Sequence, residues 1–369
     1  MITGVPHYPS WRRGSAPSRS TEGGVRVERR RHFVPATQSA IKRGTYEATW
    51  VAACLPALAP PREIDLALGI VPSLGGAVLA AAAARRYKVP YALVFQDLIG
   101  KAADQSGIAG AARVAPAITQ VETRLARGAA GVAVVAEGFR DYFLEAGVEP
   151  EKLTRLRNPA RLGRPRESRK DTRARLGWED RFVAIHTGSM GFKQGLEHVI
   201  AAAELARDRP ELLFVLQGDG NQRASLEAET RRLGLENVSF LPLASEAEFP
   251  AILRAADAAL LNQRPSVLNM SLPAKLASYF AAELPVVAAV AAGDETAREV
   301  ELAGGGVVVR PGKPQDLVAA LERLRTDPER AAALGRAGAE YAEHFLTLEA
   351  AVAEFERFLQ CCLAGKVPS

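Results

Sequence analysis

The chain has 369 residues, more than one hydrophobic core usually organises, so its length predicts two domains. With 48% hydrophobic and 24% charged residues, the composition is that of a folded protein and excludes intrinsic disorder. The net charge is +5, and the three cysteines and five histidines form neither a disulfide framework nor a zinc-binding cluster. These counts favour a protein of the reducing cytoplasm, and the first residues lead us to expect no secretory leader.

The first 46 residues are strongly basic, with nine Arg or Lys against two acidic residues and an arginine run at 29–31. Two interpretations stay open: a solvated Arg-rich surface, and a patch for anionic lipid headgroups or a phosphorylated acceptor. We expect no nucleic acid as partner, because no aromatic residues alternate with the basic ones.

The chain opens with a short turn and strand at residues 2–4, followed by a polar, Arg-rich loop. A doubly wound domain normally opens with a strand, a glycine-rich loop and a helix. The sequence therefore predicts that this first unit is missing. Either a start codon placed too late or a truncated protein with an exposed sheet edge would account for this, the first being favoured.

Short apolar runs alternate with amphipathic helical stretches along almost the whole chain. Because the runs are continuously hydrophobic, we expect parallel sheets covered on both faces, and hence an α/β protein of doubly wound domains. The uncharged stretch 66–84 contains Pro72, Gly75 and Gly76, so it predicts strand, turn and helix rather than a membrane span. The predicted strands are 64–70, 91–97, 131–136, 153–157, 182–187, 212–217, 238–243, 258–262, 285–290 and 306–309, and the clearest predicted helices are 196–206, 222–233, 331–345 and 348–363.

A stretch rich in turn formers and charge predicts a linker near 158–175. We expect an N-terminal Rossmann-like domain over 1–160 and a second one over 161–345. The remaining segment, 346–369, is predicted to be a helix that packs back on the N-terminal domain. Two such domains facing each other across a cleft would bind a ligand at the carboxyl ends of the parallel strands.

A glycine-rich segment at 186–195 follows an apolar strand and precedes a predicted helix. Its glycines allow the backbone to approach an anion, and Lys193 supplies a positive charge. The segment is neither a Walker loop nor a GxGxxG motif. An ordinary turn between strand and helix is the alternative.

Two further segments fit the same sheet edge. The next strand ends in a Gly-rich turn at 217–220, which alone is weak. Further on, Ser271 is a candidate helix N-cap with Pro273 in the first turn, and Lys275 could hold part of a diphosphate. An ordinary capped helix is the alternative.

Catalytic acids are harder to identify. In the N-terminal half, Asp97 is the one acidic residue that stands at a predicted strand end among polar neighbours. A surface or capping aspartate is an equal alternative. No nucleophile elbow or Ser/His/Asp order is present.

Taken together, these motifs resemble the family-4 glycosyltransferases. Within them the chain is most similar to the colanic-acid and capsule branch that includes fucose and N-acetylfucosamine transferases. The resemblance covers essentially the whole chain. It rests on GSMGFKQG (188–195), QGDG (217–220), NVSFLP (237–242), LPAKL (272–276) and PVVA (285–288), and on TGVPHYPSW (3–11), QDL (96–98) and NP (158–159).

The resemblance implies a GT-B fold and a retaining glycosyltransferase that moves a sugar, without metal or other cofactor, from a nucleotide-diphosphate donor to a glycan or lipid-linked acceptor. It implies a catalytic or acceptor-side role for Asp97 and an acceptor-side place for His7 and Tyr8. A cytoplasmic location with peripheral contact to an anionic membrane fits the basic front. The donor-binding residues implied are Gly188, Ser189, Gly191, Lys193, Gly218, Phe240, Leu241, Ser271, Lys275 and Ser278.

The sequence departs from the family pattern in the donor site. The 188–195 loop lacks the arginine that often accompanies the phosphate lysine. Family members carry two glutamates at positions that correspond to Met270 and Ser278 here. Because this chain lacks both, the identity of the donor sugar and base stays open. A nucleotide-sugar epimerase of the same fold and a non-catalytic homologue remain the alternatives.

Overall fold

The computed structural model describes residues 1–7, 13–36, 39–60, 63–101, 111–267 and 272–365. The chain divides into two compact units. One contains Met1–Leu156 and Ala353–Ser369, and the other contains Arg157–Val352. Both are α/β, as predicted.

The first unit contains a three-stranded and a four-stranded sheet. The strand order of the small sheet is β1-β3-β2, with β1 parallel and β2 antiparallel to β3. The other sheet is parallel, in the order β4-β5-β6-β7. The strands are β1 (Ile2–Gly4), β2 (Arg19–Glu22), β3 (Val25–Arg30), β4 (Ala67–Val71), β5 (Tyr91–Phe95), β6 (Gly131–Val134) and β7 (Leu153–Arg155).

Among the described residues, four α-helices accompany these strands before the chain enters the second unit. The second begins after Ser73, whose hydroxyl accepts a hydrogen bond from the Gly76 N–H, so the capping residue fixes its start. Alanines along it allow close packing on β4, where a Cβ on Gly69 would lie 3.1 Å from that of Ala80. The helices are α1 (Ala40–Cys54), α2 (Leu74–Tyr87), α3 (Ala111–Gly128) and α4 (Glu137–Glu145).

The basic front differs from its prediction. Instead of a loop, residues 19–30 contain two paired strands, β2 and β3. The Arg29 side chain is mostly buried and pairs with Glu22 at 2.6 Å, and Arg30 pairs with Glu28. No apolar run marks these strands in the sequence, because most of their side chains are polar: Val27 is buried, and the Arg29–Glu22 pair joins β3 to β2. Two of the three arginines in the run are therefore engaged within the fold.

The second unit is a six-stranded parallel sheet in the order β10-β9-β8-β11-β12-β13. Successive residues of β8 face opposite cores: Val183 and Ile185 belong to one hydrophobic cluster, and Ala184 to the other. This double coverage explains the continuous apolar runs of the sequence. The strands are β8 (Phe182–Ser189), β9 (Leu212–Asp219), β10 (Val238–Leu241), β11 (Ala258–Asn262), β12 (Val286–Ala289) and β13 (Gly306–Val309).

Helices cover both faces of this sheet. The first begins after Ser168 and overlaps residues 169–175 of the predicted 158–175 linker, so the linker prediction was wrong in its second half. The segment is so polar that no apolar periodicity indicates a helix. The Ser168 hydroxyl caps its N-terminus. The helices are α5 (Arg169–Leu176), α6 (Glu197–Leu205), α7 (Arg223–Leu233), α8 (Phe249–Ala255), α9 (Lys275–Ala281), α10 (Glu295–Ala303), α11 (Pro314–Thr326) and α12 (Pro328–Phe345).

A last helix, α13 (Leu348–Ala364), carries the chain back to the first unit. Its residues Phe358 and Cys362 are buried in a cluster with Ala92 and Val94 of β5. A side chain on Gly131 of β6 would collide with the Cys362 sulfur, so the glycine lets the helix sit directly on the sheet.

A cavity of about 820 Å³ lies in the first unit between its two sheets. Residues 2–4 of β1 and residues 67–70 of β4 line it, together with Trp50 of α1 and Leu79 of α2. β1 and β4 are each the end strand of their sheet. Within the described ranges, two strand edges thus border the same cavity without a strand between them.

Candidate functional site

The strand order of the second unit marks where a ligand would bind. The chain runs from β8 to β9 and β10 on one side, then crosses to β11 on the other side of β8. Ligands of open parallel sheets bind outside the carboxyl ends of the strands at such a reversal. That position is occupied by the glycine-rich segment after β8 and by the residues that follow β11.

Gly188 and Gly218 lie side by side at the ends of β8 and β9. Both have positive φ, 93° and 143°, and a Cβ on Gly218 would overlap the Gly188 carbonyl. Side chains are therefore excluded at Gly218 by direct contact as well as by backbone conformation. The two glycines thus bring the backbones of β8 and β9 into direct contact at the strand ends, and their role in binding an anion stays a prediction.

The loop after Gly188 is held in place by its neighbours. The Met190 N–H donates to the Asp219 carbonyl at 2.8 Å, and the Gln222 N–H donates to the Met190 carbonyl at 3.0 Å. The Met190 side chain is fully buried and anchors the loop in the core. The Gly191 N–H donates to the Gln194 side chain at 3.1 Å. These bonds make the loop a preformed surface.

Lys275 supplies the positive charge at this loop. Its Nζ lies 3.9 Å from the Cβ position of Gly188 and 3.2 Å from Nε2 of His186. Burial lowers the pKa of Lys275 to about 7. An ammonium group held this close to the glycine pair, at the end of the strand, can contact a bound anion directly.

Tyr279, one turn further along α9, fixes the helix to β8. Its hydroxyl accepts a hydrogen bond from the Thr187 N–H at 2.9 Å and lies 3.2 Å from the Thr187 hydroxyl. Since Lys275 and Tyr279 are four residues apart, they lie on one face of the helix. This contact sets the position of Lys275 relative to Gly188.

The predicted start of this helix was wrong. α9 begins at Lys275 after Ala274, and residues 272–274 precede it in a turn in which the Leu276 N–H donates to the Pro273 carbonyl at 3.0 Å. Ala274 is the N-cap, and Ser271, the predicted cap, lies outside the described residues. Pro lacks an N–H donor and suits a turn as well as a first helical turn, so the sequence did not distinguish the two.

Lys193 has a different setting from Lys275. It lies exposed on a single 3₁₀ turn, Phe192–Gln194, at the rim of the loop. Arg264, which the sequence did not single out, packs its guanidinium 3.7 Å from the centre of the Phe192 ring. It also pairs with Glu197 at 2.6 Å. The loop that lacks its own arginine thus receives one from the segment after β11.

The loop is also tied to β11 through Asn262. The Asn262 amide donates to the carbonyls of Gln194 and Gly195 at 2.6 and 2.8 Å. Asn262 is buried and ends β11. The contact between Asn262 and the loop follows from the pairing of β11 with β8, which the sequence does not show. In the sequence, Asn262 is visible only as an asparagine at the end of an apolar run.

The remaining donor-side residues surround the same strand ends or lie deeper. Ser189 is exposed at the end of β8, while Phe240 and Leu241 are half-buried on β10. Arg223 donates to the Leu241 carbonyl at 3.1 Å, which holds the end of β10. Ser278 is buried in α9.

The acceptor-side predictions fall in the first unit. His7 lines the cavity, with its Nε2 3.2 Å from the Tyr46 hydroxyl. Asp97 lies just after β5 and is not among the residues that line this cavity. Tyr8 lies outside the described residues. Their roles stay predictions.

Two family models match the chain. Residues 168–341 match the one described as glycosyl transferases group 1, and residues 3–159 match the one described as glycosyl transferase 4-like domain. With the parallel-sheet units described above, these matches define the class: the chain belongs to the glycosyltransferases of the GT-B fold. Its two halves carry the two domains that these models describe.

Individual relatives agree with this assignment. WcaI of Escherichia coli (strain K12), named for colanic acid biosynthesis glycosyl transfer, is 29% identical over 370 residues, which cover 96% of this chain and 90% of the relative. The alpha-D-kanosaminyltransferase of Streptomyces kanamyceticus is 28% identical over 221 residues, 58% of this chain and 56% of the relative.

Solved structures share the fold. Anabaena Alr3699/HepE in complex with UDP superposes with a TM-score of 0.70 at 19% identity, covering 90% of this chain and 86% of that one. Sucrose-phosphate synthase of Thermosynechococcus elongatus gives a TM-score of 0.75 at 17% identity, covering 99% and 89%. The predicted fold class is confirmed. In the part of the chain that the structure describes, no helix is long and apolar enough to span a membrane.

Proposed function

We propose that the protein transfers a sugar, with retention of configuration, from a nucleotide-diphosphate donor to a glycan or lipid-linked acceptor. The observation that carries the proposal is the Lys275 amine beside the glycine pair at the reversal of the strand order. The name of the Escherichia coli relative supports a role in polysaccharide biosynthesis, and the UDP-bound neighbour supports a nucleotide donor.

The proposed chemistry centres on the leaving diphosphate. When the bond between sugar and phosphate breaks, negative charge grows on the phosphate oxygens, and a preplaced ammonium stabilises it. In this proposal Lys275 performs that role without a metal cofactor, and the rigid 188–191 loop positions the diphosphate. Asp97 remains the proposed catalytic residue bordering the acceptor, and the chain is proposed to act in the cytoplasm with peripheral membrane contact.

The test is a binding and turnover comparison of lysine variants. For Lys275→Ala we expect donor affinity to fall at least about tenfold, because a charge-assisted hydrogen bond contributes about 1.5–3 kcal/mol. Titration calorimetry with UDP-glucose and GDP-mannose gives the affinity, and release of nucleoside diphosphate on addition of acceptor gives the turnover.

Lys170→Ala is the matched control, because Lys170 is an exposed lysine on α5 of the same unit. It should bind donor as the unmodified protein does. A folded Lys275→Ala variant with undiminished affinity would refute the proposed donor site. Conversion of the donor sugar without any acceptor would instead indicate an epimerase, and neither binding nor turnover would indicate a non-catalytic homologue.

A further inference from the structure

His186 is a buried histidine with an unusual partner. It lies on β8, two residues before Gly188, and is 1% exposed. Its Nε2 is 3.2 Å from Nζ of Lys275 and also 3.2 Å from the Ser189 carbonyl. The backbone of Leu260, on β11, also forms a hydrogen bond with the ring. Burying an imidazole costs stability, and an apolar residue would fill this core position at lower cost.

Resting on the proposed function, we propose that His186 is a positioning residue which holds the Lys275 amine at the glycine loop, and that donor binding protonates this amine wherever it is still neutral. The proton comes from the solvent and binds to Nζ of Lys275. A pair whose amine is neutral then becomes singly positive as the diphosphate arrives, and a pair whose amine is already charged stays singly positive.

The geometry gives His186 two hydrogen-bonding states. When Lys275 is charged, its N–H donates to Nε2, so the single ring hydrogen of neutral His186 must sit on Nδ1. When Lys275 is neutral, the hydrogen can sit on Nε2 and point to the Ser189 carbonyl, 3.2 Å away. The same imidazole nitrogen therefore contacts both the lysine and the glycine-rich loop.

The surroundings leave the pair open to a bound anion. Burial first, and the nearby charge of Lys275 second, hold the pKa of His186 well below its usual range, so the ring stays neutral. Burial alone lowers the pKa of Lys275 to about 7, and no carboxylate of the described residues offsets it. The groups facing the amine are His186 from β8 and, along α9 itself, Tyr279, whose hydroxyl is bonded to Thr187. A diphosphate would be the first negative group to reach it.

The sign of the pH dependence follows. An anion raises the pKa of Lys275, because it favours the charged amine. Binding should take up about half a proton at pH 7 and nearer one proton at pH 8, since the free amine has a pKa of about 7. Below pH 6 the amine is already charged, and uptake should fall toward zero.

The experiment measures donor binding by calorimetry in HEPES and in Tris, which release different heats when they ionise. UDP-glucose and GDP-mannose are the probes, because the diphosphate of a nucleotide sugar does not itself titrate near neutrality. The difference in heat between the buffers gives the number of protons taken up. We expect uptake that rises from pH 6 to pH 8, with UDP-glucose or GDP-mannose, whichever binds.

Variants separate positioning from packing. His186→Gln keeps an acceptor near the Nε2 position and should retain proton uptake, whereas His186→Phe should raise the donor KM about fivefold or more with a smaller change in kcat. His344→Gln, at an exposed histidine of α12, is the control and should change neither quantity.

Two results would contradict the inference. One is a binding heat that is the same in both buffers, and the other is a His186→Phe variant with unchanged KM and proton uptake. Either would leave the proposed function standing, because donor would still bind. Absence of binding by every nucleotide sugar would instead overturn the proposed function itself.

Discussion

The Tyr279 hydroxyl is the contact that joins the lysine-bearing helix to the glycine-bearing strand. Tyr279→Phe removes it and leaves the buried Thr187 N–H without its acceptor. We expect the free energy of unfolding of the second unit to fall by about 1–3 kcal/mol, the cost of an unsatisfied buried donor. Denaturant unfolding followed by circular dichroism measures this change.

Leu205→Ala on α6 is the comparison, because Leu205 is exposed in the same unit. It should shift stability by no more than about 0.5 kcal/mol. If Tyr279→Phe changes the free energy of unfolding as little as Leu205→Ala does, the hydroxyl does not hold α9 in place.

Individual site residues differ in how far the sequence could reveal them. The closeness of Gly188 and Gly218 was predictable, because glycines that follow apolar parallel strands meet at one sheet edge, and Lys275 was assigned to the same edge from the helix that carries it. Arg264 and His186 were not predictable, because their partners Phe192, Glu197 and Lys275 lie far from them in the chain. Only the order β9-β8-β11 brings these residues together.

At the scale of elements, the strands of the second unit were predicted and those of the basic front were missed. Buried parallel strands leave continuous apolar runs in the sequence, which are easily recognised. β2 and β3 have polar faces, and cross-strand pairs such as Arg29 with Glu22 replace the hydrophobic signal. The observed strand ends differ from the predicted ones by a few residues, because the residues at strand ends carry no periodic pattern of hydrophobicity.

The packing of α13 on the first unit can be tested by a single substitution. Phe358 is 1% exposed and belongs to the cluster on β5 and β6. Phe358→Ala should lower the free energy of unfolding of the first unit by about 3–5 kcal/mol, through lost burial and the cavity left behind. Thermal unfolding resolved by hydrogen exchange would locate the loss.

Leu348→Ala tests the same helix at a position that is 63% exposed. Its effect should be within about 0.5 kcal/mol of zero. Equal effects of the two substitutions would show that α13 is not held by the buried face.

At the scale of the whole molecule, the apolar edge strand β4 offers a place where another chain can pair. Leu68 and Ile70 are exposed on this end strand, at 38% and 49%. An apolar strand edge recruits other strands, and a charge on it prevents pairing. Ile70→Lys should therefore reduce association at high concentration, measured by light scattering, with little change in the unfolding temperature.

Leu302→Lys adds the same charge at an exposed leucine of α10 and serves as the control. If both variants reduce association equally, net charge rather than the strand edge is responsible.

The return of α13 to the first unit sets an order of events during synthesis on the ribosome. Every strand of the second unit lies before residue 310, whereas the cluster on β5 needs Phe358. The second unit can thus complete its sheet while the earlier-made unit still lacks its last helix. The first unit is synthesised first but completed last. Until α13 has left the exit tunnel, the surface of β5 and β6 that Phe358 covers stays without its helix.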